Sequence, residues 1–457
     1  MGFGKNRIQA IKGLKVSSME GVNGQTSGER SIPDLRFMGV VDSICSLWQE
    51  YRRESWVFLV VCIYLIFEYN RPQMIYPALD IVPWGKTLLL AGIFLAFSDR
   101  TTSLPPAAAL KPMFVFSFCV LISTAFAYSP SVAFKQWVMF FGWLFVVFLI
   151  TSVVNTRTRV FLFVVVYFLC NLKMAQHGFR SWLSRGFGFA GWGVSGSPGW
   201  FQNSGEFALE MVVFLPLVLA YIAVFRNDWS RWVKVFFYLL VIMVIGSIVA
   251  SSSRGAVIGL FGIGLWGVMF ARRRIKALLV LVVLSFVIYL MIPPEFKARF
   301  ETAGEDITSV SRLTYWEYGR EAVQENPVTG VGFRNWTVWV ASQRPELLGL
   351  VGGKDRVEVI HNTYFEAATE LGFLGLAAYL AILVQIVLTN IRSARKASLR
   401  GDRFLAATAI GLNGSLIGFI GPSYFMSVLY YPYVWILLAL TVCVSTVCSS
   451  STSGKWI

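Results

Sequence analysis

Two short polar clusters interrupt an otherwise apolar chain, and both carry residue types that do chemistry. The first is Ser251-Ser252-Ser253-Arg254-Gly255-Ala256, set between two apolar runs with almost no loop. An arginine that close to hydrocarbon costs about 2.5–3.5 kcal/mol at full depth. It must therefore face a cavity, a partner or a headgroup. The serines and Gly255 leave backbone N–H groups available, the material of an anion-binding nest. Arg254 is thus either a fixed cation for a phosphate or pyrophosphate, or an interfacial side chain reaching for lipid phosphate. The second cluster runs His361-Asn362-Thr363-Tyr364-Phe365-Glu366 and on to Glu370-Leu371-Gly372 and Gly375. At helical spacing His361 and Tyr364 fall one turn apart, and Glu366 and Glu370 share a face. The positive end of a helix dipole favours a neutral ring at its start, and a neutral imidazole can act as a general base. The alternative for His361 is a hydrogen-bonded structural role beside a helix cap. Glu370 lies deeper and reads as the buried partner of an arginine.

Two longer polar stretches accompany these clusters. In residues 293–360, Leu313, Trp316 and Val323 recur at helical spacing after Ser311, and the pattern stops at Asn326-Pro327. This amphipathic helix either lies on a membrane surface or forms a lid with Arg312 turned inward. The spacing supports both equally. Residues 174–205 hold Arg180, Arg185, several Gly and Trp, and Phe201-Gln202-Asn203-Ser204-Gly205-Glu206. Aromatics beside Arg and Asn suit sugar stacking and phosphate contacts, although interfacial Trp is common in membrane proteins.

The elements that must position these residues follow from composition. The 457 residues are 56% hydrophobic and 14% charged, with a mean hydropathy of +0.62. Soluble domains are near 25% charged, so the composition argues against a soluble enzyme, a disordered chain and a secreted disulfide scaffold. The expected fold is all-α: a polytopic transmembrane bundle of about 12 spans, each needing roughly 20 apolar residues. The spans centre near Cys62, Leu89, Phe118, Leu144, Val165, Pro216, Leu240, Gly262, Leu284, Tyr379, Leu412 and Leu437. Residues 1–54 form a polar, largely disordered tail without a signal-peptide core, ending in a short amphipathic helix near Leu35–Tyr51. Residues 55–457 form the transmembrane domain.

Charge then sets orientation. Arg52, Arg53, Arg100, Arg157, Arg159, Arg226, Arg231, Arg272–Arg274, Arg392 and Arg403 all fall on alternate loops. By the positive-inside rule that side is cytoplasmic, with both termini. Both polar stretches, about 174–205 and 293–360, then face outward. The net charge of +15 is dispersed over short loops, which argues for topology rather than nucleic-acid binding. Six cysteines without a CxxC pair argue against a disulfide framework or a zinc site, and two histidines exclude a His-rich metal site while leaving a carboxylate site open. No Walker A pattern appears. No internal repeat is visible, which counts against a symmetric transporter.

Together the motifs resemble the bacterial O-antigen ligase / O-antigen polymerase superfamily over about residues 180–375. Four pieces carry the resemblance in order: Phe201-Gln202-Asn203 with Phe207-Ala208; Ser253-Arg254-Gly255-Ala256; Arg312 and Trp316 followed by Pro327-x-x-Gly330-Val331-Gly332; and His361-Asn362 followed by Glu370-Leu371-Gly372 and Gly375. Many members show Asn-Pro-Asn where this chain has Gln202-Asn203-Ser204. Phe67-Glu68-Tyr69-Asn70-Arg71-Pro72-Gln73 resembles subfamilies from exopolysaccharide and exosortase-linked clusters. The resemblance implies a GT-C-like glycosyltransferase at the periplasmic face of the inner membrane. Its donor would be a glycan on undecaprenyl pyrophosphate, and its acceptor a sugar hydroxyl of lipid A-core, of a growing polymer or of a protein glycan. In that setting His361 is the candidate base and Arg254 the catalytic cation. Arg185, Arg312, Arg180, Asn203, Tyr364 and Glu370 are candidate substrate-binding residues. No cofactor and no metal are expected, since no Asp-x-Asp pair occurs in the outer loops and the donor is already activated. The rival function is a transporter or flippase of lipid-linked glycans.

Overall fold

The computed structural model describes residues 40–188, 193–271, 273–291, 307–345 and 357–450. The expected tail over residues 1–39 and parts of the two polar stretches (189–192, 292–306 and 346–356) lie outside the described residues. Among the described residues the regular structure is entirely helical. In chain order the helices are α1 (Val40–Arg53), α2 (Trp56–Tyr69), α3 (Trp84–Ser98), α4 (Ala107–Ala125), α5 (Pro130–Val153), α6 (Arg157–Ser184), α7 (Ser204–Phe225) and α8 (Arg231–Ala250). They continue as α9 (Arg254–Phe270), α10 (Arg274–Met291), α11 (Ile307–Glu325), α12 (Trp336–Gln343), α13 (Thr363–Leu399), α14 (Arg403–Ile420) and α15 (Pro432–Ser450). Each expected span centre falls inside a helix. By length and composition, nine helices among the described residues can cross a membrane. These nine do not include α2, α9 or α10; α2 and α9 are shorter apolar helices. On that measure the expected count of about twelve is not reached.

The core is set by which helices are apolar all round, since such helices must be enclosed by others. α7 and α15 are buried over most of their length. α14 lies along α7, and small residues explain why they approach so closely. Gly411, Gly414 and Gly418 face Leu217, Pro216 and Val212, with room for no more than a hydrogen at each. α13 then packs on α14 and α4, α8 on α6, and α2 on α3. One sequence expectation shifts here and one holds. α6 continues to Ser184, so the polar stretch begins about ten residues later than position 174 would place it, and Arg180 is helical. α11 ends at Glu325, where Asn326-Pro327 was expected to stop it.

One end of the bundle is fastened by ion pairs. Arg157 Nε lies 2.6 Å from Asp402, and Arg403 Nη1 lies 2.6 Å from Asp228. Arg159 is buried and reaches Glu54 (2.8 Å), Ser55 Oγ (3.0 Å), Thr101 Oγ1 (2.8 Å) and the Val153 carbonyl (3.0 Å). It thereby ties the α1–α2 and α3–α4 junctions and the end of α5 to the start of α6. Removing one partner of a buried pair leaves the other charge uncompensated. Arg159→Met should therefore destabilise the protein by about 3–5 kcal/mol, read as a lower unfolding midpoint in detergent. The double variant with Glu54→Gln should recover part of that loss.

Candidate active site

At the opposite end three helices begin, and each is capped by its own sequence. Asn203 Oδ1 accepts from the Gly205 N–H at 2.8 Å at the start of α7. Ser253 Oγ accepts from Ala256 N at 3.4 Å at the start of α9. Asn362 Oδ1 accepts from Tyr364 N and Phe365 N, both at 3.0 Å, at the start of α13. All three starts converge on one residue that sequence reading passed over, Met426. Its Cε lies 3.3 Å and 3.6 Å from where a Cβ on Gly205 and Gly255 would stand. Its carbonyl accepts from the Thr363 hydroxyl at 2.6 Å. Met426 follows the short 3-10 turn Pro422–Phe425, whose Ser423 Oγ and neighbouring Ile420 carbonyl each lie 3.0 Å from the Tyr364 hydroxyl.

Asn203, Arg254, His361 and Tyr364 are thus gathered around residues 420–427. Each helix start presents its positive dipole end there. Asn203 and Tyr364 also have framework roles, one as a helix cap and the other as a tie to the 3-10 turn. Two residues here have left-handed backbones without being glycine, Ser252 (φ 55°) and His361 (φ 55°). Such conformations persist only where the surroundings over-determine them.

His361 is fixed from both sides. Its N–H donates to Ser427 Oγ at 3.0 Å, and its Nε2 lies 3.4 Å from Glu358 Oε2. A carboxylate beside a histidine holds the ring's orientation and supports it once protonated. Glu358 was missed in the sequence because it precedes the motif in a stretch without periodicity. Its backbone is held in turn by Trp336, whose indole donates to the Glu358 carbonyl at 3.2 Å.

α11 leans over this group. The Trp316 indole donates to the Ile360 carbonyl at 2.9 Å, and its ring packs edge-on against Tyr424 with centroids 5.4 Å apart. Arg312 lies one turn earlier on the same face. Of the two readings left even by spacing, these contacts favour a helix resting on the site. Arg180 stands on the last turns of α6 and Arg185 caps its end, both exposed. They share the end of the bundle with Arg254: the adjoining segment bonds to the end of α8 through Val194 N and the Ala250 carbonyl at 3.0 Å.

Glu370 lies beyond this group, beside a cavity of about 300 Å³ that Arg334, Glu366, Glu370, Gln136, Trp336 and Thr337 help to line. Glu370 Oε2 accepts from the Arg334 N–H at 3.0 Å and from the Tyr430 hydroxyl at 2.9 Å. The Arg334 guanidinium lies 4.5 Å from the Tyr430 ring centroid and 3.9 Å from Glu366 Oε1. Burial, with Glu370 and Glu366 nearby, pushes the Tyr430 phenol well above its ordinary value, so it stays a donor. Arg334, which nothing in the sequence singled out, thus meets Glu370 through its backbone N–H and Glu366 through its guanidinium. It too has a left-handed backbone, φ 55°.

The loop before Arg334 is joined to α13 backbone to backbone. Val331 N donates to the Thr369 carbonyl (2.8 Å), Gly332 N to Glu370 (3.2 Å), and Phe373 N to Pro327 (2.8 Å). α13 is interrupted for this at Gly372, φ 69° and ψ −174°. The Pro327–Gly332 and Glu370–Gly372 motifs, far apart in sequence, are one structural element.

Among the described residues, no three His, Cys, Asp or Glu side chains cluster to hold a metal ion. No curated protein matches the chain. A family model does match residues 238–380, a range that includes Arg254, Arg312, Arg334 and His361 and leaves Asn203 outside. Its description is O-antigen ligase, and over this segment the chain is similar to that family.

Proposed function

We propose that the protein is an inner-membrane glycosyltransferase that moves a glycan from undecaprenyl pyrophosphate to an acceptor sugar hydroxyl at the periplasmic face. The observation that carries this reading is the convergence of the starts of α7, α9 and α13 on Met426, which gathers Arg254 and His361 at one end of the bundle. His361 removes the proton of the acceptor hydroxyl as that oxygen attacks the anomeric carbon. The bond from that carbon to the pyrophosphate oxygen breaks, and the leaving oxygen takes the electron pair. Arg254 offsets the charge that develops there, with Arg312 or Arg185 as second cation. Glu358 supports the imidazolium until its proton is passed on. The products are a new glycosidic bond and polyprenyl pyrophosphate. The donor carries the energy, and we propose that no metal takes part.

Purified protein in liposomes, supplied with lipid-linked glycan and acceptor, tests the reaction. Transfer releases polyprenyl pyrophosphate and forms a new glycosidic linkage. Movement of the glycan across the bilayer with its diphosphate linkage intact would identify a flippase instead. EDTA should leave the transfer rate unchanged; loss restored by a divalent ion would overturn the metal-free step. In a deletion strain, free polymer accumulating without attachment marks a ligase, and single repeat units mark a polymerase.

A further inference from the structure

The cavity beside Glu370 is not used in that reaction scheme, yet its wall has an unusual composition for a packing gap. Glu366 and Glu370 are 3% and 4% exposed, and both carboxylates line it. Glu370 is occupied by Arg334 N and Tyr430, and Glu366 Oε2 accepts from Leu429 N at 3.3 Å. That leaves Glu366 Oε1 with the Arg334 guanidinium 3.9 Å away, too long for a hydrogen bond. Arg334 Nε is buried with no hydrogen-bond partner among the described residues. Such orphaned donors are rare in folded proteins, and this one lies in the residue whose guanidinium stands beside Glu366 Oε1. The remaining wall mixes the amide of Gln136 and the hydroxyl of Thr337 with the apolar surfaces of Trp336 and Ile360.

These features select among ligands. An acceptor and a donor side by side, spaced too far apart to satisfy one another, suit neighbouring hydroxyls that both donate and accept. An indole and aliphatic carbons opposite suit the C–H face of a ring. Two carboxylates against one guanidinium disfavour an anion. The volume is at the low end for ligand pockets, which fits a single ring better than a lipid tail. We propose that this cavity is a subsite for one uncharged, hydroxyl-rich sugar ring, with Arg334 and Glu366 as its specificity residues. Its place in the reaction rests on the glycosyl-transfer reading; the binding itself does not. Ile360 lines the cavity and precedes His361 directly, so one peptide bond joins the cavity wall to the candidate base.

Saturation-transfer NMR on the protein in nanodiscs tests this, with millimolar glucose, galactose, N-acetylglucosamine and glucuronic acid as probes. At least one neutral sugar should receive saturation in the wild type, and glucuronic acid none. Gln136→Leu and Arg334→Lys should each reduce the signal at least tenfold. Gln136 is exposed, so its variant should keep the wild-type unfolding midpoint and serve as the folding-neutral arm. No signal for any neutral sugar, an unchanged signal in Gln136→Leu, or preference for glucuronic acid would overturn the subsite. Sugar binding without glycan transfer would sink the enzyme reading and leave the subsite standing. Transfer without binding would do the reverse. In the transfer assay, a raised KM of Gln136→Leu for acceptor places the ring on the acceptor, and a raised KM for donor places it on the glycan being moved.

Discussion

His361→Gly should lower glycan transfer by about 10²–10⁴-fold, the usual contribution of a general base, without weakening the fold. The two halves of that result come from different physics. The imidazole is the proton acceptor in the proposed reaction, so its removal takes away the step itself. The backbone at this position is left-handed, φ 55°, a conformation that glycine adopts without penalty. The variant should therefore unfold at the wild-type midpoint or above. Donor binding should persist, because the leaving pyrophosphate is assigned to Arg254. Arg254→Lys separates the roles from the other side: a point charge cannot reproduce bidentate phosphate recognition, so donor binding should fall while His361 stays in place. Near-wild-type transfer in His361→Gly would remove the base from the scheme, and full activity in Arg254→Lys would remove the bidentate contact.

Gly372→Ala should be strongly damaging for so small a substitution. With φ 69° and ψ −174°, this residue occupies a region that is essentially closed to side chains, at about 1–3 kcal/mol for backbone strain alone. The added Cβ would also run into the Val328 carbonyl. Relief requires the 327–332 loop to lift off α13, which would carry Arg334 away from Glu366 and Glu370. A lowered unfolding midpoint and loss of transfer are expected together. Gly401→Ala is the control: its φ is 74°, but nothing stands within 4 Å of the new Cβ. It should cost only the backbone term and leave transfer intact.

Much of this architecture could be read from the residues. Apolar runs of spanning length located the centres of α2 to α10 and α13 to α15, because burial in lipid leaves a continuous compositional trace. The Asn326-Pro327 stop marked the end of α11 through proline's effect on the preceding backbone. The motifs around Arg254 and His361 stood out because polar groups are expensive in an apolar context. Arg334 and Glu358 were not legible for the opposite reason. Each sits in a polar loop where a charge is unremarkable by composition, and their importance comes from contacts to Glu370, Tyr430 and His361 made in three dimensions. The break at Gly372 was hidden as well. A glycine within an apolar run reads as continuous span, and only the docking of Pro327–Gly332 reveals why the helix is opened there.

The backbone pairing of residues 327–332 with 369–373 has a consequence for how the chain is made. Residues 307–345 leave the ribosome first, but the surface they dock against is synthesised later. In the orientation we propose, they wait on the far side of the membrane until α13 is inserted and its interrupted first turns are in register. Assembly therefore runs against the order of translation at this one point, and a stalled nascent chain ending before Leu371 should expose residues 307–345 to protease that the finished protein resists.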